Sequence, residues 1–282
     1  MKKIAFIFLS MIFLAALNLP VQAQIMENEI LDQVNYDDDL PDTKPIPYPA
    51  VRKGDMMWSK RIWREIDMRQ KLNQPFYYPL EPHNNWRNFI TVIMDALKEG
   101  SITAYDINNT DELLVPLTYQ EIVSRQIDTV HRTFQRPYPP YDEYDTVIYS
   151  EFDPTKVTRI RIKEDWYFDK ERSQMLVRIL AICPVMIKVR NDQEYTEPLF
   201  WIYFPEARPV LGHAEVFNRF NDVSRRSYDD LFMKRFFSSY IYKEQNVYDR
   251  RISEYAQNLD ALLEAERIKN ELLNFEQNLW EY

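Results

Sequence analysis

The chain has 282 residues, enough for one large domain or two small ones around a buried core. Hydrophobic residues make up 45% and aromatics 15%, which argues against global disorder. Its 44 acidic residues outnumber 35 basic ones, a formal charge of −9 that gives no support for binding nucleic acid or anionic lipid.

Residues 1–23 have the pattern of a secretory signal peptide: Lys2 and Lys3, an apolar run, Pro20, and the small-residue site Val21-Gln22-Ala23. The apolar run is short for a membrane span. Cleavage would leave a chain that begins at Gln24, with 33 basic against 44 acidic residues and a formal charge of −11. The lone cysteine, Cys183, excludes an internal disulfide and lipid attachment near the cleavage site. Export without disulfides suits a bacterial periplasm. Residues 24–50 are acidic and proline-rich, with Asp37, Asp38 and Asp39 followed by Pro41, Pro45, Pro47 and Pro49. This composition predicts an extended arm.

Asp55 reads as the N-cap of a helix over residues 55–73, since Trp58, Ile62 and Ile66 recur every four residues and Trp63 widens the stripe. Lys60, Arg61, Arg64, Glu65 and Asp67 would form its charged side. Asn85 is placed to cap a second helix, residues 86–98, with Gly100 as its left-handed C-terminal residue. Residues 101–106 predict a short strand. Thr118 and Glu121 predict a capping box for a helix of about two turns. Residues 136–145 form a proline-tyrosine loop, and residues 146–152 a strand leading into a central hairpin.

That hairpin, residues 159–189, is the centre of the chain. Ile160, Ile162, Trp166 and Phe168 alternate with Arg159, Arg161, Lys163 and Asp165, the period of a strand with one buried face. In the second limb Met175, Val177, Ile179, Ala181 and Cys183 share one predicted face, while Leu176, Leu180 and Ile182 make the other apolar too. Asp169, Lys170, Glu171 and Arg172 supply the turn. Residues 198–204 predict a third core strand ended by Pro205, and hence an antiparallel meander. Ser227 is placed to cap a helix to about Tyr240, and residues 248–282 read as a charged helix with one apolar face.

The motifs of chemistry are scarce. Gly54, Gly100 and Gly212 lie too far apart for a Walker or Rossmann phosphate loop. His83, His131 and His213 have no second ligand at zinc spacing. Cys183, inside an apolar strand, reads as inert packing. The remaining cluster is Glu164, Asp165, Asp169 and Glu171 around Trp166 and Tyr167. Paired carboxylates beside aromatics suit a glycoside hydrolase that uses Glu164 and Asp169. The other reading is a charged hairpin corner paired with Lys163, Lys170 and Arg172. A sugar- or peptide-binding module would place an aromatic platform at residues 138–144.

Several blocks together resemble one family. They are Trp58-Ser59-Lys60-Arg61-Ile62-Trp63-Arg64-Glu65-Ile66-Asp67, Lys163-Glu164-Asp165-Trp166-Tyr167-Phe168-Asp169 and Phe200-Trp201-Ile202-Tyr203-Phe204-Pro205. The run 218–237, with Tyr228-Asp229-Asp230-Leu231-Phe232 inside it, joins them. The chain resembles the GldN/PorN family of gliding motility and type IX secretion in Bacteroidota over nearly all of its length after residue 23. The resemblance implies a periplasmic, non-enzymatic subunit with no catalytic, cofactor or metal residues. It implies a ring with a GldK/PorK-type lipoprotein, which holds the protein at the outer membrane, and contact with a GldM/PorM-type motor protein.

The expected organisation is therefore a signal peptide (1–23), an acidic arm (24–50), an α+β core (51–245) and a C-terminal helix on the core or a partner (246–282). The core is an antiparallel meander flanked by helices. The expected interaction surfaces are the acidic arm, the charged side of the 55–73 helix and the C-terminal helix.

Overall fold

In the computed structural model, which describes residues 44–82, 86–107, 111–126, 128–135, 138, 143–150, 152–190, 193–218 and 225–278, the first element is a strand where the sequence predicts a helix. The signal peptide, residues 24–43, the Asn85 cap and most of the 136–145 loop lie outside the described residues. Strand β1 (Met56–Asp67) pairs antiparallel with the first limb of the central hairpin, from Ile62 opposite Glu164 to Asp67 opposite Arg159. A spacing of four residues is even, so Trp58, Ile62 and Ile66 share a face of a strand as well as of a helix. The distinguishing alternation is hidden because Arg64 and Glu65 occupy buried positions, 8% and 2% exposed.

Beyond the short α1 (Gln74–Tyr77), α2 (Phe89–Glu99) starts later than expected. Its cap is Asn88, whose side chain accepts from the Thr91 backbone N–H at 2.8 Å. Gly100 closes the helix at φ 76, the left-handed conformation the sequence required there. Strands β2 (Ala104–Tyr105) and β3 (Pro116–Leu117) precede α3 (Tyr119–Gln126). The Thr118–Glu121 capping box forms in both directions, at 2.9 and 3.3 Å. Strands β4 (Asp128–Gln135) and β5 (Glu143–Ser150) make a hairpin in a sheet of their own. The strand expected to lead into the central hairpin thus pairs elsewhere, with a partner whose His131, Arg132 and Gln135 break any apolar pattern.

The central hairpin forms as expected from β6 (Val157–Asp169) and β7 (Gln174–Arg190). One detail differs. Lys163 faces Ala181 but Glu164 faces Ile179, so Leu180 is an extra residue that shifts the register. The shift puts Ile179 with the main core and Ala181 and Cys183 with a cluster on the opposite face. The predicted single face from Met175 to Cys183 is therefore two. β8 (Gln193–Pro198) and β9 (Trp201–Tyr203) both return along β7. The third core strand stops before Phe204, because Pro205 opens the helix α4 (Phe204–His213) instead of only ending a strand.

A small pair, β10 (Glu215–Val216) and β11 (Arg226–Ser227), leads to α5 (Tyr228–Met233). Ser227 caps this helix in a capping box with Asp230. The helix ends seven residues sooner than expected: Arg235 turns back at φ 54, and residues beyond it form the edge strand β12 (Tyr240–Glu244) on β1. The C-terminal segment divides into α6 (Ile252–Tyr255) and α7 (Leu259–Asn278). The main sheet runs β12-β1-β6-β7-β9-β2-β3, with β8 also on β7, and every pairing is antiparallel. This is an α+β fold.

Apolar side chains from one face of the sheet meet the helices. Ile66, Ile160, Ile162, Ile182 and Ile202 pack with α1, α2, α4 and α5, where Phe76, Phe89, Phe204, Tyr228 and Phe232 form an aromatic centre. Ile62 and Ile241 pack with Ile252, Ala265, Ile268 and Leu272, so α7 lies on the β1–β12 edge. Trp58 stacks on Phe275 at 4.6 Å between ring centroids. The opposite face holds Trp63, Ala181, Cys183, Val185 and Trp201, with Ile107 and Leu113 packed against them.

Candidate functional site and surfaces

The acidic residues singled out in the sequence all lie on or beside β6, whose extended backbone sets their spacing. Glu164 and Asp169 are five residues apart on one strand, or roughly 16 Å at about 3.3 Å per residue. Glycoside hydrolysis needs two carboxyls about 5–9.5 Å apart. The strand does not bring these two together.

Glu164 is fully buried. Its Oε1 lies 2.9 Å from Arg235 Nη1, and its Oε2 lies 3.3 Å from Arg64 Nε and accepts from Trp166 Nε1 at 3.1 Å. The Trp166 ring has both guanidiniums within 5.7 Å of its centroid. Burial lowers the Arg64 pKa from its ordinary value; Glu164 opposes this and Arg235 adds to it. Two cations thus hold one carboxylate, an arrangement that ties β1, β6 and the turn after α5 together.

Asp165 makes a two-pronged pair with Arg61 at 2.7 and 3.0 Å. Asp169 accepts from Arg172 at 2.6 Å and from the Glu171 backbone N–H at 3.0 Å, and the Arg172 bond holds its carboxyl below the usual range. Glu171 itself is exposed. The cluster is the charged corner of a hairpin. Among the proposed platform residues, Tyr138 is 75% exposed, and the side chains of the others lie outside the described residues.

The supposed charged face of residues 55–73 is not a free surface. Lys60 pairs with Glu244, Arg61 with Asp165, Arg64 with Glu164, and Asp67 with Arg69. Glu65 meets Arg159 at 2.8 Å and Arg161 at 2.9 Å, and also accepts from the Tyr240 hydroxyl. Burial pushes the Glu65 carboxyl up, but Tyr240 and the two arginines outweigh it and leave its pKa lowered. On the same face Lys243 pairs with Asp111 and Asp249, each at 2.9 Å, and lies over Trp63 at 4.4 Å. Cys183 is buried in this layer, and burial pushes its thiol up to about 12. Its side chain packs with Trp63, Ala181, Val185 and Trp201.

One contact has no counterpart among the sequence-based expectations. Tyr48, at the end of the proline-rich arm, has Arg178 and Arg208 4.9 and 4.8 Å from its ring centroid. Arg208 donates to the Ile46 carbonyl at 2.6 Å and holds Asp229 of α5 by two bonds, at 2.9 and 3.1 Å. Arg178 donates to the Pro49 carbonyl at 2.9 Å. Burial raises the Tyr48 hydroxyl to about 12. Residues 46–49 are therefore clamped to the core. An aromatic ring alternating with Pro47 and Pro49 was the available signal; its two arginines are far away in sequence.

Among the described residues no helix is long and apolar enough to cross a membrane, and no three His, Cys, Asp or Glu side chains group as metal ligands. Exposed large apolar side chains include Leu259, Leu262, Leu263 and Leu273 on α7, and Leu72, Tyr78, Phe217 and Phe236 around a groove. A family model described as gliding motility associated protein GldN matches residues 51–281. No curated protein matches the chain at a significant level.

Proposed function

The chain belongs to the GldN family of gliding motility and secretion components, and on that premise we propose that it is a structural, non-enzymatic subunit of a type IX secretion machine. Its place is the periplasm. It forms a ring with a GldK/PorK-type lipoprotein, which gives it an indirect hold on the outer membrane, and it touches a GldM/PorM-type motor protein. It serves protein secretion and, in gliding species, motility.

The observation that carries this reading is the family match, which begins at residue 51 and takes in the whole main sheet and the helices α1 to α7. The chemistry of the described residues is consistent with it. The acidic cluster is tied up in ion pairs that join separate strands and turns, which suits a rigid building block. A ring needs two different faces on each copy that fit one another, and the apolar stripe on α7 and the groove are candidates for them.

The test is genetic. Removing the chain from its source cell should abolish secretion of type IX cargo and, where the cell glides, gliding. Restoring Glu164→Gln at normal protein level should restore both. Intact secretion without the chain would refute the machine reading. Failure of a normally abundant Glu164→Gln protein would revive a catalytic role.

A further inference from the structure

Helix α7 rests on the molecule by one side only. Ala265, Ile268 and Leu272 are buried with Ile62 of β1 and Ile241 of β12, while Leu259, Leu262, Leu263 and Leu273 stand in solvent. At about 3.6 residues per turn, Leu262, Glu266, Lys269 and Leu273 fall in one narrow stripe, roughly 100° round the helix from the buried one. Their spacing of four, three and four residues is that of a two-stranded coiled-coil seam. Leu262 is 60% exposed and Leu273 43%, and the Glu266 and Lys269 side chains are 56% and 50% exposed. Large apolar side chains grouped in solvent mark an interaction surface.

The stripe is complementary to itself read backwards. Leucine, glutamate, lysine, leucine becomes leucine, lysine, glutamate, leucine at the same spacings. A second α7 running antiparallel, about a two-fold axis between Arg267 and Ile268, therefore sets Leu262 of each copy against Leu273 of the other. It also sets Glu266 of each copy against Lys269 of the other. A parallel pairing would put Glu266 beside Glu266 and Lys269 beside Lys269, which repels. Within one copy Glu266 and Lys269 face each other at 3.1 Å. So exposed a pair contributes little, and turning both side chains to a neighbour costs little. Arg267 is engaged on the side away from the stripe, where it donates to Glu264 at 2.7 and 2.8 Å and to Glu271 at 3.0 Å.

We propose that a second copy of this chain covers the stripe, with two α7 helices paired antiparallel about a two-fold axis. Leu262 and Leu273 supply the apolar contact, and the crossed Glu266–Lys269 ion pairs fix its register and direction. The same patch serves both copies, so the contact closes in a pair and does not propagate round a ring. It assigns the α7 stripe to the pair and leaves the groove as a candidate ring face. The contact does not depend on the secretion reading.

The test is sedimentation velocity on the purified protein over a wide range of concentration. The parent should pass from monomer to dimer as concentration rises. Leu262→Ser combined with Leu273→Ser should stay monomeric throughout while keeping the parent's circular dichroism. Glu266→Lys sets lysine against lysine and Lys269→Glu sets glutamate against glutamate, so each alone should weaken the dimer at least about tenfold. Mixing these two variants in equal amounts should restore a dimer as tight as the parent's, made of one copy of each, because every lysine then meets a glutamate. A parent that stays monomeric overturns the proposal and leaves the stripe to a different protein. A dimer that survives the leucine changes, or a mixture no tighter than either variant alone, overturns it as well. None of these outcomes involves the lipoprotein, so the ring can fail while the pair holds.

Discussion

At the scale of single residues, the fold sets buried charges such as Glu164, Glu65 and Arg208 against opposite charge. Glu164→Gln leaves Arg64 and Arg235 facing a neutral group, and Arg64 is only 8% exposed. The expected loss is about 3 kcal/mol of stability, read by denaturant unfolding. An unchanged unfolding midpoint would contradict the bridging role. Glu65 adds a pH dependence. Its folded pKa is lowered, so it contributes stability that is complete above the unfolded value near 4.3 and is lost as pH falls through the folded one. Glu65→Gln should therefore be less stable than the parent at neutral pH but lose less stability between about pH 5 and pH 3. Equal slopes in that window would show that Glu65 does not titrate with folding.

At the scale of elements, α7 is held through Ala265, Ile268 and Leu272, with Ile268 fully buried. Ile268→Ala should cost about 3 kcal/mol and raise hydrogen exchange along α7. An exchange pattern identical to the parent would mean that the helix is held elsewhere. Ser227→Ala removes the capping box of α5 and should cost about 1 kcal/mol. The elements also differ in how legible they are. The central hairpin shows in the sequence because both limbs follow a period and a polar turn joins them. The caps at Thr118, Ser227 and Gly100 show because each is a local hydrogen-bonding device. β1 does not, since its spacing of four fits two periods and its Arg64 and Glu65 are buried only through partners far away along the chain. The register shift at Leu180 has no local signature either. For the acidic cluster, sequence reveals which residues are acidic and offers the local pair of Asp169 with Arg172, but the partners of Glu164, Arg64 and Arg235, come from β1 and from the turn after α5.

At the scale of the whole molecule, the arm and the core are joined at a defined point. Arg208→Ala removes the bond to Ile46 and the pair with Asp229 together. Limited proteolysis should then cut near residues 44–50 several times faster than in the parent, while the core survives. Equal cutting rates would show that the clamp does not hold the arm. The proposal of a ring subunit is tested most directly by size. The purified protein and a GldK-type lipoprotein should each be measured by light scattering, alone and mixed. The expected result is a large, discrete complex in the mixture that contains both chains. A monomer whose mass stays the same with the lipoprotein present would contradict the ring.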